Sequence, residues 1–181
     1  MPKAMWSDIL YLRGRLICLD SSGSMDGLPD TWAKAVAAVL GQIAYQDSRH
    51  FRVLHFTKNV RRIDDFPPRH YDFSRLLESM LSFYAGGGTD WQPALQATVD
   101  CIEKQQHFKQ VDIVMVTDGQ CDVNQEFVKQ LKRQKERLEF TIYGILIGDS
   151  GEQQLKNFCE HIWAVKDLVA EDVVIEELFL I

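Results

Sequence analysis

Residues 15–25 read "RLICLDSSGSM". A short apolar run ends in Asp20 and gives way at once to Ser21, Ser22, Gly23 and Ser24. A run with so little polar interruption reads as a buried strand. "VDIVMVTD" (111–118) has the same form and also closes on an aspartate, Asp118. Between and after these two runs, helical and extended periods alternate. From Trp32 the apolar residues fall at 32, 35, 36, 39, 40 and 43, a helix that Asp30 or Thr31 can cap. "HFRVLHFT" (50–57) is a strand, and "VRRI" (60–63) returns antiparallel across a turn at Lys58 and Asn59. The prolines of "FPP" break the chain, and "DFSRLLESMLSFY" (72–84) is a helix capped by Asp72. In "AGGGTDWQPALQATVDCI", Thr89 or Asp90 caps a helix with Pro93 in its first turn and an apolar stripe at 91, 94, 95, 98, 99 and 102. "NQEFVKQLKRQKERL" is a helix, "EFTIYGILIG" (139–148) a strand, "GEQQLKNFC" a short helix and "HIWAV" (161–165) a last strand before a C-terminal helical piece. Such alternation implies parallel strands with helices on both faces.

The composition narrows the function classes. The chain has 181 residues, 46% of them hydrophobic and 25% charged, which suits one domain with a real core. A formal charge of −6 argues against bulk nucleic-acid binding. "KQLKRQKER" (129–137) reads as a solvated helix face. No segment has the length and character of a membrane span or a secretory signal. The cysteines at 18, 101, 121 and 159 are scattered, without CxxC or a Cys/His cluster, so the expectation is no zinc site and a reducing cytoplasm. "AEDVVIEELFLI" ends on an apolar cluster, which reads as a domain cut from a longer protein.

In an open parallel sheet, ligands bind beyond the carboxyl ends of the strands at a switch in strand order. That rule selects Asp20, Ser22 and Ser24 after the first strand, Thr89 in the glycine-rich loop, and Asp118 after "VDIVMVT". Together they offer two carboxylates and three hydroxyls, an oxygen-only set suited to a hard cation such as Mg²⁺. The i, i+2, i+4 spacing lets a curled loop aim alternate side chains at one point. Taken singly, each residue reads as a turn former or helix cap, and only their joint occurrence favours a metal. Asp26, Asp90 and Asp122 lie near the same edge and are not expected to be ligands.

"DSSGS", "GGGTD" and "VTDG" resemble, in order and spacing, the three parts of the metal-ion-dependent adhesion site of von Willebrand factor A (vWA) domains, over about residues 14–167. The resemblance implies a three-layer Rossmann-like fold, mostly parallel with one antiparallel edge strand, filling a single domain 1–181. It also implies a metal site of Asp20, Ser22, Ser24, Thr89 and Asp118: the serines bind directly, Thr89 directly or through water, and the aspartates through water or hydrogen bonds. The ion would be Mg²⁺, with Mn²⁺ or Ca²⁺ as substitutes. Neutral hydroxyls leave its charge uncompensated, so an open coordination position favours a carboxylate, typically Asp or Glu of a partner protein. "CLDSSGSM" and "GGGTD" look most like the intracellular ViaA and CoxE-like vWA proteins, which are paired with MoxR-type AAA+ ATPases. The expectation is therefore a non-enzymatic adaptor.

Other classes fit less well. A haloacid-dehalogenase-type phosphatase wants DxD where Ser22 stands, nucleotide sites want GxxxxGK[ST] or GxGxxG, and a serine hydrolase wants GxSxG. A metal-dependent phosphoester hydrolase and a structural domain with a vestigial cup remain the alternatives. His50, His55, His70, His107 and His161 form no i, i+4 pair and read as structural or exposed. Trp32, Trp91 and Trp163 read as core; Met25 either faces a partner beside the metal or packs inside.

Overall fold

The computed structural model describes residues 15–84, 86–104, 111–119, 121–148, 150–166 and 168. The expected C-terminal helical piece beyond 168 and His107 lie outside them. The elements are β1 (Arg15–Asp20), a 3₁₀ turn (Gly23–Met25), α1 (Leu28–Gln46), β2 (Phe51–Phe56), β3 (Val60–Phe66), α2 (Phe73–Leu81) and α3 (Trp91–Lys104). They continue as β4 (Asp112–Thr117), α4 (Gln125–Leu138), β5 (Thr141–Ile147), α5 (Glu152–Leu155) and β6 (His161–Val165). The strands form one six-stranded sheet in the order β3-β2-β1-β4-β5-β6. Every neighbouring pair is parallel except β2 with β3. This is the three-layer, Rossmann-like architecture expected from the sequence.

Alternate residues of each inner strand face opposite layers. Ile17, Leu19, Val53, Val114, Val116, Ile145 and Ile147 pack with α1 and α2. Leu16, Cys18, Leu54, Phe56, Ile113, Met115 and Leu146 pack with α3, α4 and α5. Burial on both faces is why β1, β2 and β4 carry near-continuous apolar runs. The stripe of α3 is buried at Trp91, Ala94, Leu95, Thr98, Val99 and Ile102, matching the expected face. Trp32 and Trp163 are also core. Cys18 behaves as a buried hydrophobe: burial pushes its thiol up to about 12, although Thr98 Oγ1 lies 3.2 Å from its sulfur.

Three local expectations need correction. Helix α1 begins at Leu28 behind Gly27 (φ 86°), with Pro29 in the first turn, rather than at a cap on Asp30 or Thr31. Both candidate caps are engaged inside the helix: Asp30 pairs with buried Lys34 at 2.6 Å, and Thr31 Oγ1 donates to Gly27 O at 3.0 Å. Strand β5 starts at Thr141, not 139, because Glu139 adopts a left-handed φ of 55° to end α4. The basic stretch of α4 is not wholly solvated. Lys135 Nζ donates to Phe158 O at 2.7 Å and pairs with Glu160, while Arg137 pairs with Glu103.

Edge strand β3 is held by ion pairs along its length as well as by burial of Phe66 at its end. Asp65 accepts from Arg52 Nε and lies against His50 Nε2, both at 2.7 Å. Asp64 accepts from Arg62 Nε at 2.7 Å and lies 3.0 Å from the buried His55 Nε2. Burial pushes both carboxyls up, but their hydrogen bonds outweigh it and hold both below the usual carboxylate range. A carboxylate so depressed contributes stability above its unfolded pKa and loses it as pH falls through the lower folded value. Urea midpoints measured downward from pH 6 should therefore fall below an ordinary carboxyl value of 3.8, and D64N should flatten that acid limb. A second test concerns the α1–α2 contact. A Cβ on Gly41 would lie 2.6 Å from Leu76 Cδ2 and 2.9 Å from Phe51 Cε1, both in the closed core. Although alanine favours helices, G41A should cost about 1–3 kcal/mol in urea denaturation, because overpacking outweighs propensity.

Candidate metal centre

The strand order reverses between β1 and β4: the chain first steps from β1 to β2, then returns past β1 to β4. Their parallel register, Leu19 opposite Val116, sets Asp20 and Thr117 side by side at the carboxyl edge. Beyond Asp20 the chain keeps one more link to the sheet, Ser21 N to Phe56 O at 2.8 Å. It then turns sharply. Ser22 N donates to Asp20 Oδ1 at 2.9 Å, and the 3₁₀ turn closes with Met25 N on Ser22 O at 3.1 Å. Met25 is fully buried and plugs the core beneath the turn, so the packing alternative holds and the partner-facing one does not. The turn brings Ser22 Oγ within 3.2 Å of Ser24 Oγ, with Ser22 buried and Ser24 exposed.

The glycine loop is tied to this turn through backbone. Gly23 N donates to Gly87 O at 2.9 Å, and Asp90 N donates to Thr57 O at 2.9 Å, just past β2. Half-buried Thr89 lies between these two anchors. The cap of α3 falls to Asp90, whose Oδ1 accepts from Gln92 N at 3.0 Å, rather than to Thr89. On the other side, Thr117 Oγ1 donates to Asp20 Oδ2 at 2.6 Å and accepts from Gly119 N at 3.2 Å. The three segments selected from the sequence thus meet at one edge. Thr117 and Gly119 were not among the expected site residues. Thr117 is fully buried, and its bond to Asp20 spans ninety-seven residues of sequence, so no local pattern marked it.

The electrostatics are unusual for a turn. Asp20 is fully buried, and burial, opposed by its hydrogen bonds to Thr117 and Ser22, raises its pKa; the charge of Asp118 adds to the rise. Among the described residues, no cationic side chain is a cause of that shift. Asp118 Oδ1 is buried without a hydrogen-bond partner. An orphaned carboxylate oxygen beside a buried, unneutralised carboxylate is costly unless something positive satisfies it. Among the described residues no three His, Cys, Asp or Glu side chains form a metal-holding group. The donors that fit a hard cation are instead the mixed hydroxyl and carboxylate set of Asp20, Ser22, Ser24, Thr89 and Asp118.

A polar cleft of about 310 Å³ adjoins Asp118, lined by Gly119, Cys121, Asp122, Ser150, Gly151 and Gln154. Burial raises the Cys121 thiol, a hydrogen bond with the Trp91 backbone opposes the rise, and Asp90, Asp20 and Asp122 add to it. Asp90 and Asp122 therefore lend negative field to the same edge. Cleft and cup share a floor where Gly119 (φ 84°) and Gly151 (φ 89°) meet backbone to backbone. A Cβ on Gly119 would run into Ser150 O, and one on Gly151 into Gly119 O.

With fold and site in place, the von Willebrand factor type A domain profile matches residues 16–120, more than half of the chain, and the chain belongs to that family. An uncharacterized protein of Methanocaldococcus jannaschii, MJ0811, is 31% identical over 157 residues, covering 87% of this chain and 36% of its own length. The regulatory protein ViaA of Photorhabdus laumondii is 26% identical over 149 residues, 82% of this chain and 30% of ViaA. The chain thus spans about a third of the length of these relatives. Among solved structures, a von Willebrand factor type A protein from Catenulispora acidiphila superposes with a TM-score of 0.70 at 17% identity, covering 92% of this chain and 42% of that one. That likeness carries the fold alone.

The shared floor gives a prediction. G119A should destabilise the domain by at least about 1 kcal/mol, since it combines a positive φ with a backbone collision. Chemical denaturation checks it, and a wild-type midpoint would contradict the described contact.

Proposed function

We propose that the domain is a non-enzymatic, Mg²⁺-dependent protein-interaction module. One observation carries the reading: the buried, unpartnered Asp118 Oδ1 lies at the same sheet edge as buried Asp20 and the paired hydroxyls of Ser22 and Ser24. Ser22 and Ser24 would hold the ion through their hydroxyls, Thr89 would complete that side, and Asp20 and Asp118 would hold its waters or hydrogen-bond to the donors. The bound ion would supply an uncompensated positive charge at the rim, a receptor for a carboxylate from a partner protein. Mn²⁺ or Ca²⁺ would substitute.

Binding rather than catalysis is supported by where the four described histidines are engaged. His50 lies on Asp65, His55 on Asp64, His70 on Pro68 O, and His161 against the Trp163 ring. The regulatory name of the ViaA relative supports an adaptor role, for which a MoxR-type AAA+ ATPase in the cytoplasm is the partner we favour. No described helix is long and apolar enough to cross a membrane.

Calorimetric titration with Mg²⁺ should give one site in the wild type and none in D20A or the S22A/S24A double variant. Saturation at a hundred times Kd should add about 2.7 kcal/mol to stability, by mass action. Capture of the purified MoxR-type ATPase of the same organism should require Mg²⁺ and fail in EDTA. Equal capture in EDTA and by D20A would overturn the metal-bridged reading.

A further inference from the structure

We infer that Thr117, outside the expected ligand set, is the positioning residue that fixes the Asp20 carboxylate and the backbone turn carrying Asp118. The inference rests on the metal reading above and deepens it. Thr117 is fully buried at the end of β4. Its hydroxyl has one proton, and the 2.6 Å bond to Asp20 Oδ2 uses it. The oxygen's lone pairs then face Gly119 N, which donates at 3.2 Å. One atom is thereby fixed between two strands and a loop.

The consequences differ for the two acids. Asp20 accepts from Ser22 N on Oδ1 and from Thr117 on Oδ2. Its carboxylate plane cannot rotate without losing one of these bonds. Asp118 is spanned from both sides: Thr117 precedes it in chain, and the Gly119 amide that follows is bound back to the Thr117 hydroxyl. This side-chain turn folds the strand exit around Asp118 and leaves Oδ1 buried and unpartnered. The Asp20 carboxylate and the backbone that carries Asp118 are therefore held in a fixed mutual arrangement before any ion arrives. A site whose ligands are held by such outer bonds loses less ordering entropy on binding.

Valine matches threonine in shape but leaves Asp20 Oδ2 and Gly119 N without their partner. Serine keeps the hydroxyl. The experiment is calorimetric titration of wild type, T117V and T117S with Mg²⁺ and Mn²⁺, at a temperature where far-UV circular dichroism shows each folded. T117V should weaken Kd about tenfold or more, the usual effect of removing an outer-shell partner. T117S should stay close to the wild type, a rescue that loss of packing alone would not produce. Equal affinity in wild type and T117V would overturn the role of Thr117 and leave the metal site standing. A wild type that binds neither ion would overturn both. Should T117V not fold, hydrogen exchange of the wild type decides: if opening the Thr117–Gly119 turn abolishes the site, Mg²⁺ should slow the Gly119 amide as much as the β4 amides, which report global opening. A Gly119 amide that Mg²⁺ leaves unslowed while the β4 amides slow would overturn the inference.

Discussion

The parallel pairing of β1 with β4 is the contact on which the rest of the molecule depends. Those two strands are the centre of the sheet, buried on both faces, and their register sets Asp20 beside Thr117 at one edge. An apolar sheet cannot supply counter-charge, so the carboxylate delivered there must be met by the few groups at the strand ends. Hydrogen bonds from Ser22 and Thr117 meet part of that need without neutralising it. A raised carboxyl pKa and an orphaned Asp118 oxygen are the visible remainder. Groups strained in this way concentrate at functional sites, where local stability is given up for binding.

The loops around the cup are tied mainly through backbone. Ser21 reaches Phe56, Gly23 reaches Gly87, and Asp90 reaches Thr57, each by main-chain atoms. Meanwhile the structural jobs open to side chains fall to neighbours: Met25 plugs the core and Asp90 caps α3. The Ser22 and Ser24 hydroxyls are left mainly with each other. This division of labour is not that of an ordinary turn, in which such hydroxyls cap the backbone.

Much of the fold was legible because burial leaves a periodic trace. The buried set of α3 coincides with its stripe, and β1 and β6 begin and end where their apolar runs do. What stayed hidden was decided by contacts distant in sequence or by unusual backbone angles. Asp30 looked like a cap until Lys34 claimed it, and Glu139 looked extended until the end of α4 required a left-handed residue. The five expected cup residues were chosen by type and spacing, and the structure brings their three segments to one edge. Thr117 and the Gly119–Gly151 floor were not, since a hydroxyl's partner ninety-seven residues away leaves no local pattern.

The central claim, that this edge is a cation receptor, is tested most directly by crystals grown with millimolar Mn²⁺ and measured for anomalous scattering. The account predicts one strong peak within bonding distance of the Ser22 and Ser24 hydroxyls, flanked by Thr89 and Asp118. A well-ordered cup with no peak, or a peak only at surface carboxylates elsewhere, would contradict it.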